Sequence, residues 1–147
     1  MAHAGQELEG PNGFRLRLVK TGEETGGELL EMEAHYSGQG SLPPEHLHPK
    51  QAEHFEVLEG AVIGIVGGER RVYSAGESFD VPVATPHQMG GTEGGAVVRW
   101  EVRPALRTAE FFERLYAMMA EGAEGEAYAA FFDEFADEFR MTGPETR

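Results

Sequence analysis

Hydrophobic residues alternate with polar ones over short stretches in the first two thirds of the chain. Phe14, Leu16 and Leu18 alternate with arginines, and residues 30–36 repeat the pattern. Strict alternation is typical of strands with one buried face. Further alternating or apolar stretches follow at 55–58, 61–66, 70–74, 79–83, 87–89 and 96–102. Many short strands, spaced by roughly ten residues, predict an all-β sandwich or barrel.

The pattern becomes helical in the last third of the chain. Apolar residues three and four positions apart predict a helix from Ala109 to about Ala120, and a second helix from about Glu124 to Arg140. The second helix carries a stripe of aromatic residues on one face: Tyr128, Phe131, Phe132, Phe135 and Phe139. We predict that these helices pack on the barrel or on a dimer partner.

These patterns divide the chain into three parts. Residues 1–13 are polar and glycine-rich and predict a loose N-terminal arm, whereas 14–104 would form the β-barrel. Residues 105–147 would hold the C-terminal helices. The length of 147 residues agrees with one domain.

Composition narrows the classes of function. The chain has 26 acidic and 12 basic residues and a net charge of −14. Such a surface repels phosphate, so nucleic-acid and anionic-membrane partners are disfavoured. The absence of cysteine excludes disulfides and thiol nucleophiles. Because there is neither a signal-peptide pattern nor a long apolar run, we expect a cytoplasmic protein.

The candidate chemistry lies in the histidines. His46 and His48 are two residues apart, so on a strand both rings face the same side. Glu53 follows closely, whereas His87 is distant and only the fold can bring it to the others. Three neutral imidazoles and one carboxylate suit a first-row divalent metal ion. Burying them without partners would cost several kcal/mol, so either a metal or a water network must satisfy them.

The stretch from Gly40 to Gly60 resembles the first sequence motif of the cupin superfamily. That motif reads glycine, five residues, H-x-H, three or four residues, glutamate, six residues and glycine. Gly40, His46, His48, Glu53 and Gly60 all fall in place, with four residues between His48 and Glu53.

The stretch from Gly76 to Gly91 resembles the second cupin motif, in which Gly76, Pro82 and His87 fall in place. Ala84 stands where the motif has glycine, an exchange that costs little if its backbone angles are ordinary. Gly91 stands where the motif has asparagine and removes a polar turn residue. Neither position is a metal ligand in the family.

The resemblance implies a fold and a site. We predict an all-β, cupin-type jelly-roll β-barrel with a C-terminal helical extension. By carry-over from the family, the metal ligands would be His46, His48, Glu53 and His87. The cofactor would be a divalent ion of Fe, Mn, Ni or Zn, and the resemblance also suggests a homodimer.

Strand parity predicts part of a ligand cavity. If Glu53 points inward, Phe55 and Val57 point inward as well, and Met89 shares the side of His87. Trp100 is a further candidate for the lining or for the core. An apolar wall beside an open metal position suits a small organic molecule.

Two functions remain open at this point. The protein is either a metalloenzyme of oxygenase or isomerase type, or a small-ligand-binding or sensing module without turnover. No catalytic acid or base is evident beyond the proposed ligands, and the fold does not choose between the two functions.

Overall fold

The computed structural model describes residues 2–38 and 42–142. Within these ranges the strands are β1 (Glu7–Glu9), β2 (Arg15–Lys20), β3 (Leu30–Tyr36), β4 (His46–Leu47), β5 (Ala52–Val66), β6 (Glu69–Ser74), β7 (Ser78–Val81), β8 (His87–Arg103) and β9 (Arg140–Met141). The α-helices are α1 (Gly22–Thr25), α2 (Thr108–Ala120) and α3 (Gly125–Glu134). No helix in these ranges has the length and apolar character needed to cross a bilayer.

Two long antiparallel strands, β5 and β8, pair with each other along most of their length and belong to two sheets at once. One sheet has the order β1-β2-β3-β8-β5-β7, and the other has the order β6-β5-β8-β4-β9. Two antiparallel layers of this kind form a jelly roll. The predicted fold class is confirmed, except that the strands of the described ranges do not close into a continuous barrel.

Glycines let β5 and β8 bend instead of ending. The pairing shifts register on both sides of Gly60, whose φ is 71°. A Cβ at Gly60 would collide with the carbonyl oxygen of Gly95 on β8. The sequence pattern predicts separate strands at 55–58 and 61–66, and again at 87–89 and 96–102, because glycines usually mark strand ends. Here each pair is one bent strand.

The core fills the space between the sheets and continues under the helices. Leu16, Leu18, Met32 and Val98 are fully buried between the layers. Phe111 of α2 is also fully buried and stacks on Phe131 of α3 and on Phe139. The C-terminal helices therefore pack on the sheets of their own chain.

The N-terminal segment differs from the predicted loose arm. Residues Glu7–Glu9 form β1 and pair with β2, and Leu8 lies opposite Leu16. Leu8 is 8% exposed. A single apolar residue in a polar stretch carries no periodic signal, yet its burial together with the ladder hydrogen bonds is enough to order the strand.

The second C-terminal helix is shorter than predicted. It ends at Glu134 instead of continuing to Arg140, and residues Arg140–Met141 form β9 against β4. Helix propensity differs by less than about 1 kcal/mol per residue, so tertiary pairing overrides it easily. The turn leaves Phe135 fully buried and brings Phe139 against His46.

Both departures from the second motif have a structural consequence. Ala84 has a φ of 61°, so its backbone angles are not ordinary and an L-residue there is strained by roughly 1–2 kcal/mol. Gly91 lies inside β8 and not in a turn. A Cβ at Gly91 would lie 2.7 Å from the Cβ of Tyr36, so asparagine does not fit without movement.

Candidate metal centre

Three histidines converge where β4 meets β8. His46 of β4 is paired directly with His87, the first residue of β8, and His48 follows β4 by one residue. One ring nitrogen from each histidine lies within 4.8 Å of those from the other two. His48 and His87 are buried, whereas His46 is half-buried. The fold thus brings the distant His87 to the H-x-H pair.

Each of these histidines has its Nδ1 against a backbone carbonyl. The carbonyls are those of Pro44 for His46 at 3.0 Å, Glu138 for His48 at 2.7 Å and Thr85 for His87 at 2.9 Å. Because a carbonyl only accepts, Nδ1 carries the hydrogen and Nε2 of the neutral ring keeps its lone pair. Histidine ligands of metals are commonly oriented in this way.

Glu53, near the start of β5, turns one carboxylate oxygen to the histidines. Trp100 Nε1 donates to Oε2 at 2.7 Å, while Oε1 lies 3.2 Å from His48 Nε2 and 3.0 Å from His87 Nε2. Glu53 Oε1 and His48 Nε2 are buried, and neither makes a hydrogen bond of acceptable geometry in the described chain. Buried polar atoms of this kind call for a further partner, and a divalent cation suits this donor set.

The electrostatics of the centre favour the metal-binding protonation states of His46 and Glu53, whereas His48 holds its proton more tightly. Burial, together with His87 and His48, lowers the pKa of His46 from 6.5 to about 3. Burial disfavours the charged form of His48 as well, but the Glu53 carboxylate outweighs it and raises the pKa of His48. Burial likewise opposes charge on Glu53, but His48 and His87 outweigh it and lower the pKa of Glu53. His46 is therefore neutral and Glu53 ionised at neutral pH.

A cavity of about 490 Å³ opens beside this centre. Three of the predicted lining residues, Phe55, Met89 and Trp100, do line it. Val57 does not, although it faces inward and is 1% exposed. Phe55 stacks on Phe79, with ring centroids 5.0 Å apart, and packed rings of this kind occupy the interior beyond the cavity.

The C-terminal segment builds much of the cavity wall, which the sequence analysis does not foresee. Lining residues come from α2, α3 and the tail: Phe112, Leu115, Tyr116, Met119, Tyr128, Phe132, Phe139 and Met141. Phe139 stacks on His46 with centroids 4.5 Å apart. The aromatic stripe was the available signal, and it serves both core and cavity. Gly40 of the first motif lies outside the described residues.

Comparison with known proteins identifies the domain. Residues 32–102 match the family model of the cupin domain, whereas a search of curated proteins finds no match. Among solved structures, KdgF from Halomonas sp. is 21% identical with a TM-score of 0.59, and the match covers 67% of this chain and 86% of that one.

Two further solved structures share the fold. An RmlC-like cupin from Shewanella frigidimarina is 21% identical with a TM-score of 0.59, over 71% of this chain and 87% of that one. A structure described as a sugar phosphate isomerase of the cupin superfamily, from Silicibacter pomeroyi, is 17% identical with a TM-score of 0.55, over 67% and 70% of the two chains. At these identities the likeness concerns the fold. With this domain match, the shared fold and the residues of both motifs, residues 32–102 of this chain are a cupin domain.

Proposed function

We propose that this protein is a metal-binding cupin in which His46, His48, His87 and Glu53 hold a divalent metal ion beside a small-molecule cavity. The observation that carries the proposal is the buried pair His48 Nε2 and Glu53 Oε1. The two atoms face each other at 3.2 Å without a hydrogen bond of acceptable geometry. A cation between them and the other two imidazoles would satisfy both atoms.

The donor set of three nitrogens and one oxygen suits Fe, Mn, Ni or Zn. When bound, such an ion supplies Lewis-acid chemistry, or redox chemistry if it is iron or manganese, at the coordination positions that the protein leaves open. The chain itself orients the donors. Backbone carbonyls hold the three imidazoles and Trp100 holds Glu53, while the apolar wall limits water around the centre.

Our first candidate activity is a metalloenzyme of oxygenase or isomerase type acting on a small organic molecule. Among solved relatives, the Silicibacter pomeroyi structure is described as an isomerase. The lining offers few groups for proton transfer besides the proposed ligands. Tyr36 and Tyr116 are the nearest candidates, and burial raises the pKa of both, so they remain protonated near neutral pH.

The scarcity of bases in the cavity supports the second candidate, a ligand-binding or sensing module without turnover. In the described part of the lining, Glu53 is the only carboxylate and it is already committed to the metal centre. A general base must lie within hydrogen-bond reach of the proton that it removes. Steady turnover of a candidate substrate by the metal-loaded protein would decide for the enzyme.

Metal content is the direct test of the proposal. Protein purified without a histidine tag is analysed for metals, together with His87→Ala and with His54→Ala as a matched control. His54 lies outside the centre, with Nδ1 2.8 Å from Asp80 Oδ1. We expect near-stoichiometric Fe, Mn, Ni or Zn in the wild type and in His54→Ala, and loss of the metal in His87→Ala.

The opposite result is equally clear. If the folded wild-type protein takes up none of the four metals after incubation with each, the proposed centre is wrong. Equal metal content in all three proteins would mean that the metal binds elsewhere on the chain.

We also propose that the protein acts as a homodimer in the cytoplasm. The dimer is suggested by the family resemblance and the location by the sequence. The aromatic stripe predicted for the second C-terminal helix does not serve such a dimer as a free surface, because Phe131 and Phe135 are buried within their own chain.

A further inference from the structure

Beyond the proposed metal ligands, the cavity wall consists mainly of rings and apolar side chains. Rings reach it from separate parts of the fold. Phe55 and Trp100 come from the sheets, and Phe112 and Tyr116 come from α2. Phe132 comes from α3, and Phe139 comes from the segment after it. Walls of this composition bind flat apolar bodies through burial and ring stacking. A ligand that fills the cavity therefore needs a largely apolar body.

Away from the proposed metal centre, the wall disfavours an anionic group on the ligand. None of the described lining residues is a lysine or an arginine, and the carboxylate of Glu53 belongs to the proposed centre, where a divalent ion would offset its charge. The chain as a whole carries a net charge of −14. A phosphate loses its hydration on entering a pocket, and proteins compensate for that loss with arginine, lysine or clusters of backbone N–H groups. This wall offers no cationic side chain for the purpose.

The wall also offers few hydrogen bonds. Ser37 Oγ already donates to the backbone carbonyl of Asn12 at 2.5 Å. The polar side-chain groups that remain away from the metal centre are then few, namely the amide of Asn12 and the hydroxyls of Tyr36 and Tyr116. A sugar would bury several hydroxyls, and each one without a partner costs its desolvation. A ligand with one or two oxygen groups matches the number of available partners.

The two tyrosine hydroxyls are themselves available for a ligand. Neither makes a hydrogen bond to a residue in the described ranges. Both rings pack against Phe14, with centroid distances of 5.0 Å for Tyr36 and 6.1 Å for Tyr116, so they lie in the same part of the wall. Burial raises the pKa of Tyr36, and the negative charge of Glu53 raises it further. Both phenols are protonated at neutral pH and can donate to a carbonyl or hydroxyl oxygen.

We infer that the ligand of this cavity is a small uncharged molecule with an aromatic or similarly flat apolar body, one oxygen group at the metal centre and a second at Tyr36 and Tyr116. The same wall disfavours sugar phosphates and polyhydroxylated sugars, because it offers few partners for their charge and hydroxyls away from the metal centre. The inference rests on the proposed function for the oxygen at the metal, whereas the preference for an apolar body depends on the wall alone.

Binding of matched probes tests this inference. 4′-Hydroxyacetophenone carries a phenol and a ketone on one ring, and it is compared with glucose and glucose 6-phosphate by isothermal titration calorimetry. Each probe is titrated into the protein in metal-loaded and metal-free form. We expect the aromatic probe to bind at least tenfold more tightly than either sugar in both forms, and more tightly when metal is present.

Tyr116→Phe isolates the role of the hydroxyl. This variant keeps the ring. It should lower the affinity for the aromatic probe about three- to tenfold and leave the metal content unchanged. Tyr73→Phe is the matched control, because Tyr73 is buried on Phe79 and is not among the lining residues. Thermal melting of both variants verifies that they fold.

The outcomes separate this inference from the proposed function. Tighter binding of glucose 6-phosphate, or no binding of the aromatic probe by metal-loaded protein, overturns the inference and leaves the metal centre standing. If the protein takes up no metal but still binds the aromatic probe more tightly than the sugars, the proposed metal centre is wrong. The inferred preference for an apolar ligand body is then supported. Equal effects of Tyr116→Phe and Tyr73→Phe overturn the role given to Tyr116.

Discussion

Trp100 links the proposed metal centre to the cavity wall. Its indole ring lines the cavity and stacks on Phe55 at a centroid distance of 5.4 Å, while its N–H donates to Glu53 Oε2. A buried indole needs a partner for its N–H, and a buried carboxylate needs donors. Each group satisfies the other. The bond leaves Oε1 of Glu53 directed at His48 and His87.

Proton competition is expected at His48. The Glu53 carboxylate raises the pKa of His48 above 6.5, whereas the pKa of His46 is about 3 and that of Glu53 lies below its usual 4.5. A metal must displace the proton on His48 Nε2, so binding releases it and affinity rises with pH. Below the pKa of His48 the affinity should fall by up to about tenfold per pH unit.

Metal titrations between about pH 5.5 and 8, each in two buffers of different ionisation enthalpy, measure this effect. The difference in heat between the buffers counts the protons released. An affinity that does not change over this range would contradict the expected competition at His48.

Single residues differ in how much of their role could be predicted. The H-x-H spacing and Glu53 mark candidate metal donors because those side chains have few other reasons to cluster. The carbonyls that hold the rings belong to residues 44, 85 and 138, and carbonyls have no sequence signature. Ala84 shows the same limit, since a φ of 61° is not visible in the residue type.

At the scale of elements, the C-terminal segment after α3 organises the site. The β9 strand extends the sheet beside β4, so that His46 lies between His87 and Met141. The carbonyl of Glu138 holds His48, and the ring of Phe139 covers His46. The buried Glu138 carboxylate accepts the backbone N–H of Arg107 at 3.3 Å, which ties this segment to the start of α2.

Phe139→Ala should therefore affect metal binding as well as stability. Removing a half-buried ring should cost about 2–3 kcal/mol of unfolding free energy, less than the ~3–5 kcal/mol of a fully buried phenylalanine. Because the variant also uncovers His46, we expect a roughly tenfold loss of metal affinity. Denaturant melts and competitive metal titrations measure the two effects.

Phe131→Ala is the matched control for this prediction. Phe131 is 3% exposed, stacks on Phe111 and does not line the cavity. The Phe131→Ala variant should lose more unfolding free energy than Phe139→Ala, but its folded form should keep the metal affinity of the wild type. If the two variants lose metal affinity equally, the C-terminal segment acts only through global stability.

At the scale of the whole molecule, two bent strands carry the architecture. Strands β5 and β8 hold both sheets together, and the proposed metal centre lies where β4 pairs with the first residue of β8. Side chains of α2 and α3 then complete the wall of the cavity. The centre and the cavity thus depend on contacts between parts of the chain far apart in sequence, such as His48 with Glu138.

The proposed homodimer is a prediction at this scale. Gel filtration with light scattering should give about twice the 16.1 kDa mass of one chain. A protein that is monomeric across micromolar concentrations would contradict it. The dimer surface would not be the aromatic stripe predicted for the second C-terminal helix, since Phe135 of that stripe is fully buried in its own chain.

The sequence by itself determined the fold class and the change from strands to helices near Pro104, and it predicted the donor residues of the proposed metal centre. It does so because strand periodicity, helical periodicity and the spacing of metal donors are local patterns. The tertiary structure alone decided that β1 is ordered, that the second helix stops early and that Val57 leaves the cavity lining. It also decided that the C-terminal rings form the wall. These features depend on contacts between residues that are far apart in sequence, and the local sequence pattern does not specify such contacts.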